Sequence, residues 1–198
     1  MPSQVDFYYD YGSPAAYLAW TQLPALCKQY QATLMYCPVL LGGVFKATGN
    51  STPALIEPKG KWLFDDIARY ADHYGVPFTM NPFFIVNSMA MMRGAIWAQN
   101  TGVLPQYNKA MFDATWVDGL DTSKPEVIAS AMRKAQLDSS AMQQAIRDDA
   151  IKKQLIKATT AAVDRGVFGA PTMIVNGEFH FGQDRLDWVE RSLAASSL

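Results

Sequence analysis

The sequence predicts an α/β fold in which a β-α-β unit and a final β-β-α unit enclose a block of helices. Three observations lead to this prediction. A run of aromatic and β-favouring residues from Val5 to Tyr11 passes directly into a helix that begins with proline. The middle of the chain, from about residue 55 to residue 165, carries several amphipathic segments bounded by glycine or proline. The pair Asn176-Gly177 then separates two short β-favouring runs, which is a strong hairpin signal.

The junction between the first strand and the first helix is the most informative stretch of the chain. Gly12 loosens the backbone, Ser13 is a favourable N-cap residue, and Pro14 suits the first helical position, which needs no N–H donor. The helix is predicted from about Ala15 to Tyr30. A hydroxyl group therefore lies at a helix N-terminus, where backbone N–H groups and the helix dipole favour a bound anion. An ordinary capped helix is the alternative interpretation of this stretch.

The later elements follow from hydrophobic periodicity and from turn residues. A short buried strand is predicted from Thr33 to Pro38. A loop is predicted from Leu41 to Pro53, because its glycine, asparagine and threonine content disfavours a helix. An irregular apolar connector is predicted from Met80 to Val86. Helices are predicted from Lys61 to His73, from a cap at Asn87 or Ser88 to Gly102, from Pro105 to about Val117, from Thr122–Glu126 to Leu137, from Ser139, from about Asp149 to Arg165, and from Arg185 to about Ala194.

Length and composition limit the classes of function. The chain has 198 residues, of which 49% are hydrophobic, and this is enough for a substantial core in one domain. Seventeen basic and eighteen acidic residues give a net charge of −1, and no basic block indicates binding to nucleic acid or to an anionic membrane. No apolar run reaches the roughly 18 residues of a membrane span, and the N-terminus lacks the features of a secretion signal. These observations predict a cytoplasmic protein.

The cysteine and histidine residues exclude several kinds of site. Cys27 and Cys37 give no disulfide framework. His73 and His180 have no partners at metal-ligand spacing, so no metal site is predicted. No G-x-S-x-G elbow surrounds Ser13, which argues against a Ser-His-Asp hydrolase.

Six short motifs occur in order along the chain. They are D-F-Y-Y-D-Y-G-S-P at residues 6–14, G-N at 49–50, K-G-K-W-L-F-D-D-I at 59–67, N-S at 87–88, F-G-A-P-T at 168–172 and F-G-Q-D-R-L at 181–186. Together they resemble the 2-hydroxychromene-2-carboxylate isomerases and kappa-class glutathione transferases, a DsbA-like branch of the thioredoxin fold. The resemblance covers nearly the whole chain. It implies a single thioredoxin-like domain over residues 1–198, with a thioredoxin core at residues 1–40 and 166–198 and a helical insertion subdomain at about residues 55–165.

The resemblance implies a catalytic role for Ser13. Thioredoxin-like redox enzymes carry two cysteines that flank two residues at this helix start, but here the tetrad is Ser13-Pro14-Ala15-Ala16. A hydroxyl and a methyl group cannot form a disulfide, so dithiol exchange of the usual kind is excluded. The thiol implied instead is that of glutathione as cofactor. A thiol with a pKa of about 8.5 is only slightly ionised at neutral pH, and Ser13 together with the helix N-terminus would favour its thiolate.

The resemblance also implies partners for the rest of glutathione. Pro171 is expected in cis, which would leave the N–H and C=O of Ala170 free to pair with the cysteinyl backbone. Gln183 and Asp184 would hold the amine and carboxylate of the γ-glutamyl end, although Asp184 could instead be a plain N-cap. Trp62 stands where the family usually has tyrosine, so a hydroxyl contact is not expected there. The remaining implied binding residues are Asn50, near the ligand backbone, and Lys59, Trp62 and Asp66, near the glycyl end and the wall of the site.

The activity implied by the resemblance is glutathione-dependent cis/trans isomerisation of the 2-hydroxychromene-2-carboxylate type, in the breakdown of aromatic compounds. Conjugate addition of a thiolate to a benzylidene pyruvate converts its double bond into a single bond, and elimination after rotation restores it in the other geometry. Two alternatives stay open. A kappa-like glutathione S-transferase would leave the thiol attached to a small electrophilic substrate, and a thioredoxin-fold binding module would not catalyse a reaction. The family also suggests a homodimer.

Overall fold

A mixed four-stranded β-sheet forms the centre of the protein, seen in a computed structural model that describes residues 3–195. The strands are β1 (Gln4–Tyr9), β2 (Thr33–Pro38), β3 (Thr172–Val175) and β4 (Glu178–Phe181). Their order is β2-β1-β3-β4. β1 and β2 are parallel, whereas β1 with β3 and β3 with β4 are antiparallel. This sheet confirms the predicted thioredoxin-like fold and the predicted hairpin at Asn176-Gly177.

Nine α-helices are described within residues 3–195. They are α1 (Pro14–Gln29), α2 (Leu41–Thr48), α3 (Glu57–Tyr74), α4 (Met89–Asn100), α5 (Leu104–Trp116), α6 (Pro125–Lys134), α7 (Ser139–Ala145), α8 (Asp149–Asp164) and α9 (Leu186–Ala195). Two 3₁₀ turns cover Pro53–Leu55 and Gln183–Arg185. The helices from α3 to α8 form the predicted helical insertion. Most helix ends lie within a few residues of the predicted ones, and α3 starts at Glu57 rather than Lys61 because Pro58 is accommodated in its first turn.

The helix α2 lies where the composition predicts a loop, and that prediction is wrong for residues 41–48. Contacts with distant residues stabilise this helix. The carboxylate of Asp10 accepts the N–H of Leu41 at 2.8 Å, which satisfies a donor at the helix N-terminus. Gly43 lies against α8, where an added Cβ would come within 3.2 Å of Thr159 Cγ2. These tertiary contacts outweigh the low helix propensity of glycine.

The core packs the aromatic residues at the end of β1 against the helical insertion. β1 ends at Tyr9, two residues earlier than predicted, and Tyr11 belongs to the following turn. The hydroxyls of Tyr9 and Tyr11 both donate to Asn108 Oδ1 of α5, at 2.8 and 2.6 Å. The indole N–H of Trp116 donates to the C=O of Tyr11 at 2.7 Å. Because buried polar groups require partners, this network holds the insertion against the start of α1.

No helix within residues 3–195 has both the length and the apolar character needed to cross a membrane. Cys27 and Cys37 are free thiols. Burial raises the pKa of Cys27 to about 11 and is the largest cause that raises the pKa of Cys37 to about 12. Both thiols therefore stay protonated near neutral pH and offer no competing thiolate.

Gly94 of α4 lies directly against Tyr107 of α5. A Cβ at residue 94 would overlap the hydroxyl and ring of Tyr107, whose hydroxyl donates to the C=O of Met91 at 3.0 Å. We expect Gly94→Ala to lower the free energy of unfolding by about 1–3 kcal/mol, because overpacking displaces a buried ring. Urea denaturation measures this change.

Gly42→Ala is the matched control for this substitution. Gly42 lies in α2, and within residues 3–195 no atom other than those of its chain neighbours and its own helix backbone comes within 4 Å of its Cβ position. Alanine is the better helix former, so we expect the control to raise the free energy of unfolding by up to about 1 kcal/mol. Equal stability of the two variants would contradict the close packing of α4 on α5.

Candidate active site

An apolar cleft of about 290 Å³ lies at the N-terminus of α1. Its walls come from the β1–α1 turn, from α2 and the segment after it, from α3, and from the segments that precede β3 and follow β4. The structure brings most of the predicted site residues to this cleft. Those that line it are Ser13, Asn50, Trp62, Asp66, Ala170, Pro171, Gln183 and Asp184.

Lys59 is the predicted site residue that does not line the cleft. It is exposed in the first turn of α3, one turn before Trp62. Trp62 is itself 60% exposed, so it lies at the mouth of the cleft rather than in its interior. Later residues of α3 form one wall of the cleft, whereas Lys59 does not line it.

The Ser13 hydroxyl makes two hydrogen bonds within the protein. Its Oγ accepts the N–H of Ala16 at 3.1 Å, which confirms that Ser13 caps α1. The same hydroxyl donates to the C=O of Ala170 at 3.0 Å. No acidic residue lies in the first turn of α1, so the positive end of the helix dipole is not neutralised there. A cap and an anion-binding position therefore coincide at Ser13.

The peptide bond between Ala170 and Pro171 is cis, as predicted. The further prediction that the C=O of Ala170 is free is wrong, because this oxygen accepts the hydroxyl of Ser13. Within residues 3–195 the N–H of Ala170 has no hydrogen-bond acceptor. The segment before β3 therefore offers the cleft a backbone donor, the N–H of Ala170. Its backbone acceptor, the C=O of Ala170, already accepts the Ser13 hydroxyl.

Asn50 connects two walls of the cleft. Its Nδ2 donates to the C=O of Phe168 at 2.9 Å, and its Oδ1 accepts the N–H of Ser51 at 2.8 Å. Gly49, immediately before it, ends α2 with a φ of 72°, a conformation that favours glycine. The Nδ2 bond thus holds the segment after α2 against the segment before β3, and the Oδ1 bond fixes the local turn.

Among the described residues, the charged ones that line the cleft are two aspartates. Asp66 lies 3.3 Å from Arg69, and Asp184 lies 3.7 Å from Arg185, but neither arginine lines the cleft. The alternative that Asp184 is an N-cap is wrong, because the 3₁₀ turn is capped by Gly182 without a side-chain hydrogen bond and α9 starts two residues after Asp184. The Asp184 side chain is 41% exposed and can receive a cation.

Asp10 is a residue of the site that the sequence did not reveal. Its side chain is only 1% exposed. Its carboxylate accepts the N–H groups of Gly12 and Leu41, both at 2.8 Å, and a hydrogen bond from the side chain of Ser88. It therefore joins the β1–α1 turn to the starts of α2 and α4. The D-Y-G spacing is typical of an Asx turn and could have indicated only the bond to Gly12.

A second cavity of about 470 Å³ adjoins the cleft. The residues that line both are Gly12, Leu41, Phe45, Thr52 and Phe84. Within residues 3–195, Lys46 is the only lysine or arginine that lines either space. Sequence patterns do not indicate this cavity, because much of its wall is α2, where the composition predicts a loop.

The titration of Asp10 gives a pH-dependent test. Burial raises the pKa of this carboxyl above its ordinary value of 3.8, so the folded protein binds the proton more tightly than the unfolded chain does. The contribution of Asp10 to stability is therefore largest at low pH and falls as the pH rises from 3.8 through the folded pKa. We expect Asp10→Asn to destabilise the protein by about 1–3 kcal/mol at pH ~4 through a lost acceptor, and the deficit to shrink towards pH ~7.

Urea denaturation of both proteins across this pH range measures the deficit. Asp65→Asn is the control, because Asp65 is an exposed carboxylate of α3 whose removal changes the net charge equally. A deficit that grows with pH for Asp10→Asn would mean that the hydrogen bonds to the carboxylate outweigh the cost of burying it.

Comparisons with known proteins agree with this geometry. A family model described as the DSBA-like thioredoxin domain matches residues 4–194. A 2-hydroxychromene-2-carboxylate isomerase of Sphingobium xenophagum is 32% identical over 195 residues, which cover 98% of this chain and 99% of the relative. Glutathione S-transferase kappa 1 of Homo sapiens is 27% identical over 201 residues, covering 94% and 89%.

A solved structure of a 2-hydroxychromene-2-carboxylate isomerase superposes with a TM-score of 0.89 at 30% identity, covering 98% of this chain and 95% of that one. These relatives are isomerases and glutathione transferases, and they support an enzyme. The chain belongs to the DSBA-like thioredoxin domain family, in the group of the 2-hydroxychromene-2-carboxylate isomerases and kappa-class glutathione transferases.

Proposed function

We propose that the protein is a glutathione-dependent cis/trans isomerase of the 2-hydroxychromene-2-carboxylate type. The observation that carries the proposal is the Ser13 hydroxyl at the N-terminus of α1, beside an apolar cleft. This position favours an anion. The tetrad from Ser13 to Ala16 holds no cysteine, so a thiolate there has to come from a bound thiol. The isomerases and the kappa transferase among the relatives support both the thiol and the reaction.

Ser13 would stabilise the thiolate by changing one hydrogen bond. Its hydroxyl proton would leave the C=O of Ala170 and turn to the sulfur, while its Oγ keeps the N–H of Ala16. A charge-assisted hydrogen bond contributes about 1.5–3 kcal/mol. This corresponds to a thiol pKa that is lower by about one or two than the free value of about 8.5.

Glutathione would extend along the cleft from this sulfur position. The N–H of Ala170 would donate to its cysteinyl backbone beside Pro171. Its γ-glutamyl end would lie at Gln183 and Asp184, where the exposed carboxylate of Asp184 suits the ammonium group. Its glycyl end would point to the opposite wall, formed by Asn50, Trp62 and Asp66, with Lys59 reaching its carboxylate from the outer edge.

The adjoining cavity would hold the second substrate. Its Phe45 and Phe84 suit an aromatic ring, and Lys46 suits a carboxylate. The thiolate would add to the benzylic carbon of the double bond, and the electron pair would move to the 2-oxo group to give an enolate. Rotation about the resulting single bond, followed by return of the electron pair and loss of the thiolate, would give the other isomer. Glutathione is regenerated, so no further reactant is consumed.

A kappa-like glutathione S-transferase is the second candidate. The kappa transferase among the relatives supports it, and so does the mostly apolar wall of the adjoining cavity. Both reactions use the same thiolate. They differ in whether the thiol leaves the substrate again or stays attached to it. The substrate of the isomerase also carries a carboxylate, which Lys46 could hold.

Ser13→Ala tests the central residue of the proposal. We expect kcat for isomerisation with saturating glutathione to fall by about ten- to a hundredfold, because a charge-assisted hydrogen bond to the thiolate is lost. The cap of α1 is lost as well, so the free energy of unfolding should fall by about 0.5–2 kcal/mol. Steady-state kinetics and urea denaturation measure the two effects separately.

Asp148→Ala is the control for the lost cap. Asp148 caps α8, which has 16 residues like α1, through the N–H of Ala150 at 2.7 Å. Asp148 lines neither the cleft nor the adjoining cavity. The Asp148→Ala variant should therefore show a similar fall in the free energy of unfolding and keep full activity. An active Ser13→Ala variant would remove Ser13 from the mechanism.

Lys46→Met separates the two candidate reactions. If Lys46 pairs with the substrate carboxylate, KM for a benzylidene pyruvate should rise by about tenfold or more, as expected for a lost charge-assisted contact. Conjugation of glutathione to 1-chloro-2,4-dinitrobenzene, which has no carboxylate, should change little. Lys157→Met on α8, an exposed lysine that lines neither space, is the control. An unchanged KM for the 2-oxo acid would remove Lys46 from the substrate site. A wild type that conjugates 1-chloro-2,4-dinitrobenzene without isomerising the 2-oxo acid would favour the transferase.

A further inference from the structure

Tyr74 lies directly behind Gln183, on the side away from the cleft. It is the last residue of α3, and its hydroxyl lies 2.9 Å from Gln183 Oε1 and 3.2 Å from the backbone oxygen of Gln183. Gln183 is only 4% exposed and lines the cleft. Tyr74 does not line the cleft but a separate cavity, which has Asp184 in its wall as well. Of the cleft residues, Gln183 is the one to which Tyr74 hydrogen-bonds, so the effect of this hydrogen bond on a ligand in the cleft passes through Gln183.

The hydroxyl of Tyr74 acts as a donor near neutral pH. Burial is the main cause that raises its pKa to about 12, so the phenol keeps its proton. Both acceptors of that proton, Oε1 and the backbone oxygen, belong to Gln183. The Gln183 side chain is therefore folded back towards its own backbone. With Oε1 held by the phenol, Nε2 forms the other arm of the amide, and Tyr74 uses neither of its N–H donors.

The amide nitrogen of Gln183 is left available to a ligand. Within residues 3–195, no group accepts a hydrogen bond from Nε2. Nε2 is also not one of the fully buried polar atoms that lack a partner, which are Asn108 Nδ2 and Thr122 Oγ1. Since Gln183 lines the cleft, its accessible donors face the space in which the γ-glutamyl end is proposed to lie.

We propose that Tyr74 is a positioning residue that orients the Gln183 amide so that Nε2 donates to the α-carboxylate of the γ-glutamyl group. Asp184, next to it in the wall, takes the ammonium group of the same α-carbon. This inference rests on the proposed function. An amide turned by half a rotation would present Oε1 to the carboxylate, and two acceptors would then face each other. In the observed orientation the phenol donates to Oε1, and this hydrogen bond holds the amide with Nε2 free of Tyr74.

The test compares Tyr74→Phe with Tyr70→Phe. Tyr70 lies one turn earlier on α3 with its ring centroid 5.7 Å from that of Tyr74, and it makes no hydrogen bond to Gln183. Each variant and the wild type are titrated by calorimetry with glutathione and with 4-aminobutanoyl-cysteinylglycine. This analogue keeps the amine and the thiol and lacks the α-carboxylate. kcat is measured at saturating glutathione.

We expect Tyr74→Phe to bind glutathione about three- to tenfold more weakly, which is the effect of one hydrogen bond. Its affinity for the analogue should equal that of the wild type, and kcat at saturation should be kept. Tyr70→Phe should match the wild type with both ligands.

Two results would overturn the inference. The first is equal glutathione affinity in the wild type and Tyr74→Phe. The second is an equal loss for glutathione and the analogue, since this would mean that Tyr74 only supports the wall. A wild type that binds neither thiol would instead reject the proposed function itself, so the two failures are distinguishable.

Discussion

The site depends on the position of one hydroxyl group between two distant parts of the chain. The Ser13 hydroxyl accepts an N–H from the first turn of α1 and donates to Ala170, which is 157 residues away in sequence. The sheet makes this contact possible, because β1 pairs with β3 in a register that sets Tyr8 opposite Thr172. The helix start and the segment before β3 therefore meet at one end of the sheet, where the cleft lies.

A second constraint is the buried carboxylate of Asp10. It connects the turn before Ser13 with the starts of α2 and α4, so the same residue fixes the wall of the adjoining cavity and the turn that carries Ser13. None of the groups that hydrogen-bond to this carboxylate is a cation. Burying an unpaired charge is unfavourable, and the hydrogen bonds offset only part of the cost, which is why burial raises its pKa. The buried Asp10 carboxylate thus lowers stability and at the same time fixes the geometry around the cleft.

Local signals explain what the sequence predicts well. The Asn176-Gly177 hairpin, the Ser13-Pro14 helix start and the helices of the insertion follow from residues that act on their immediate neighbours. The helix α2 could not be predicted in this way, because contacts with distant residues stabilise it. Asp10 accepts the N–H of Leu41 at its N-terminus, and Gly43 lets it pack closely against α8. The shared hydroxyl of Ser13 and the hydrogen bond of Tyr74 to Gln183 were also hidden, since both join residues far apart in the chain.

The central claim is that this fold ionises a thiol that it does not itself contain. The most direct measurement is the pH titration of glutathione bound to the wild-type protein, followed by the ultraviolet absorbance of the thiolate. We expect saturable binding and a thiol pKa below the free value of about 8.5 by about one or two. Bound glutathione that titrates like free glutathione, or no binding at all, would contradict it.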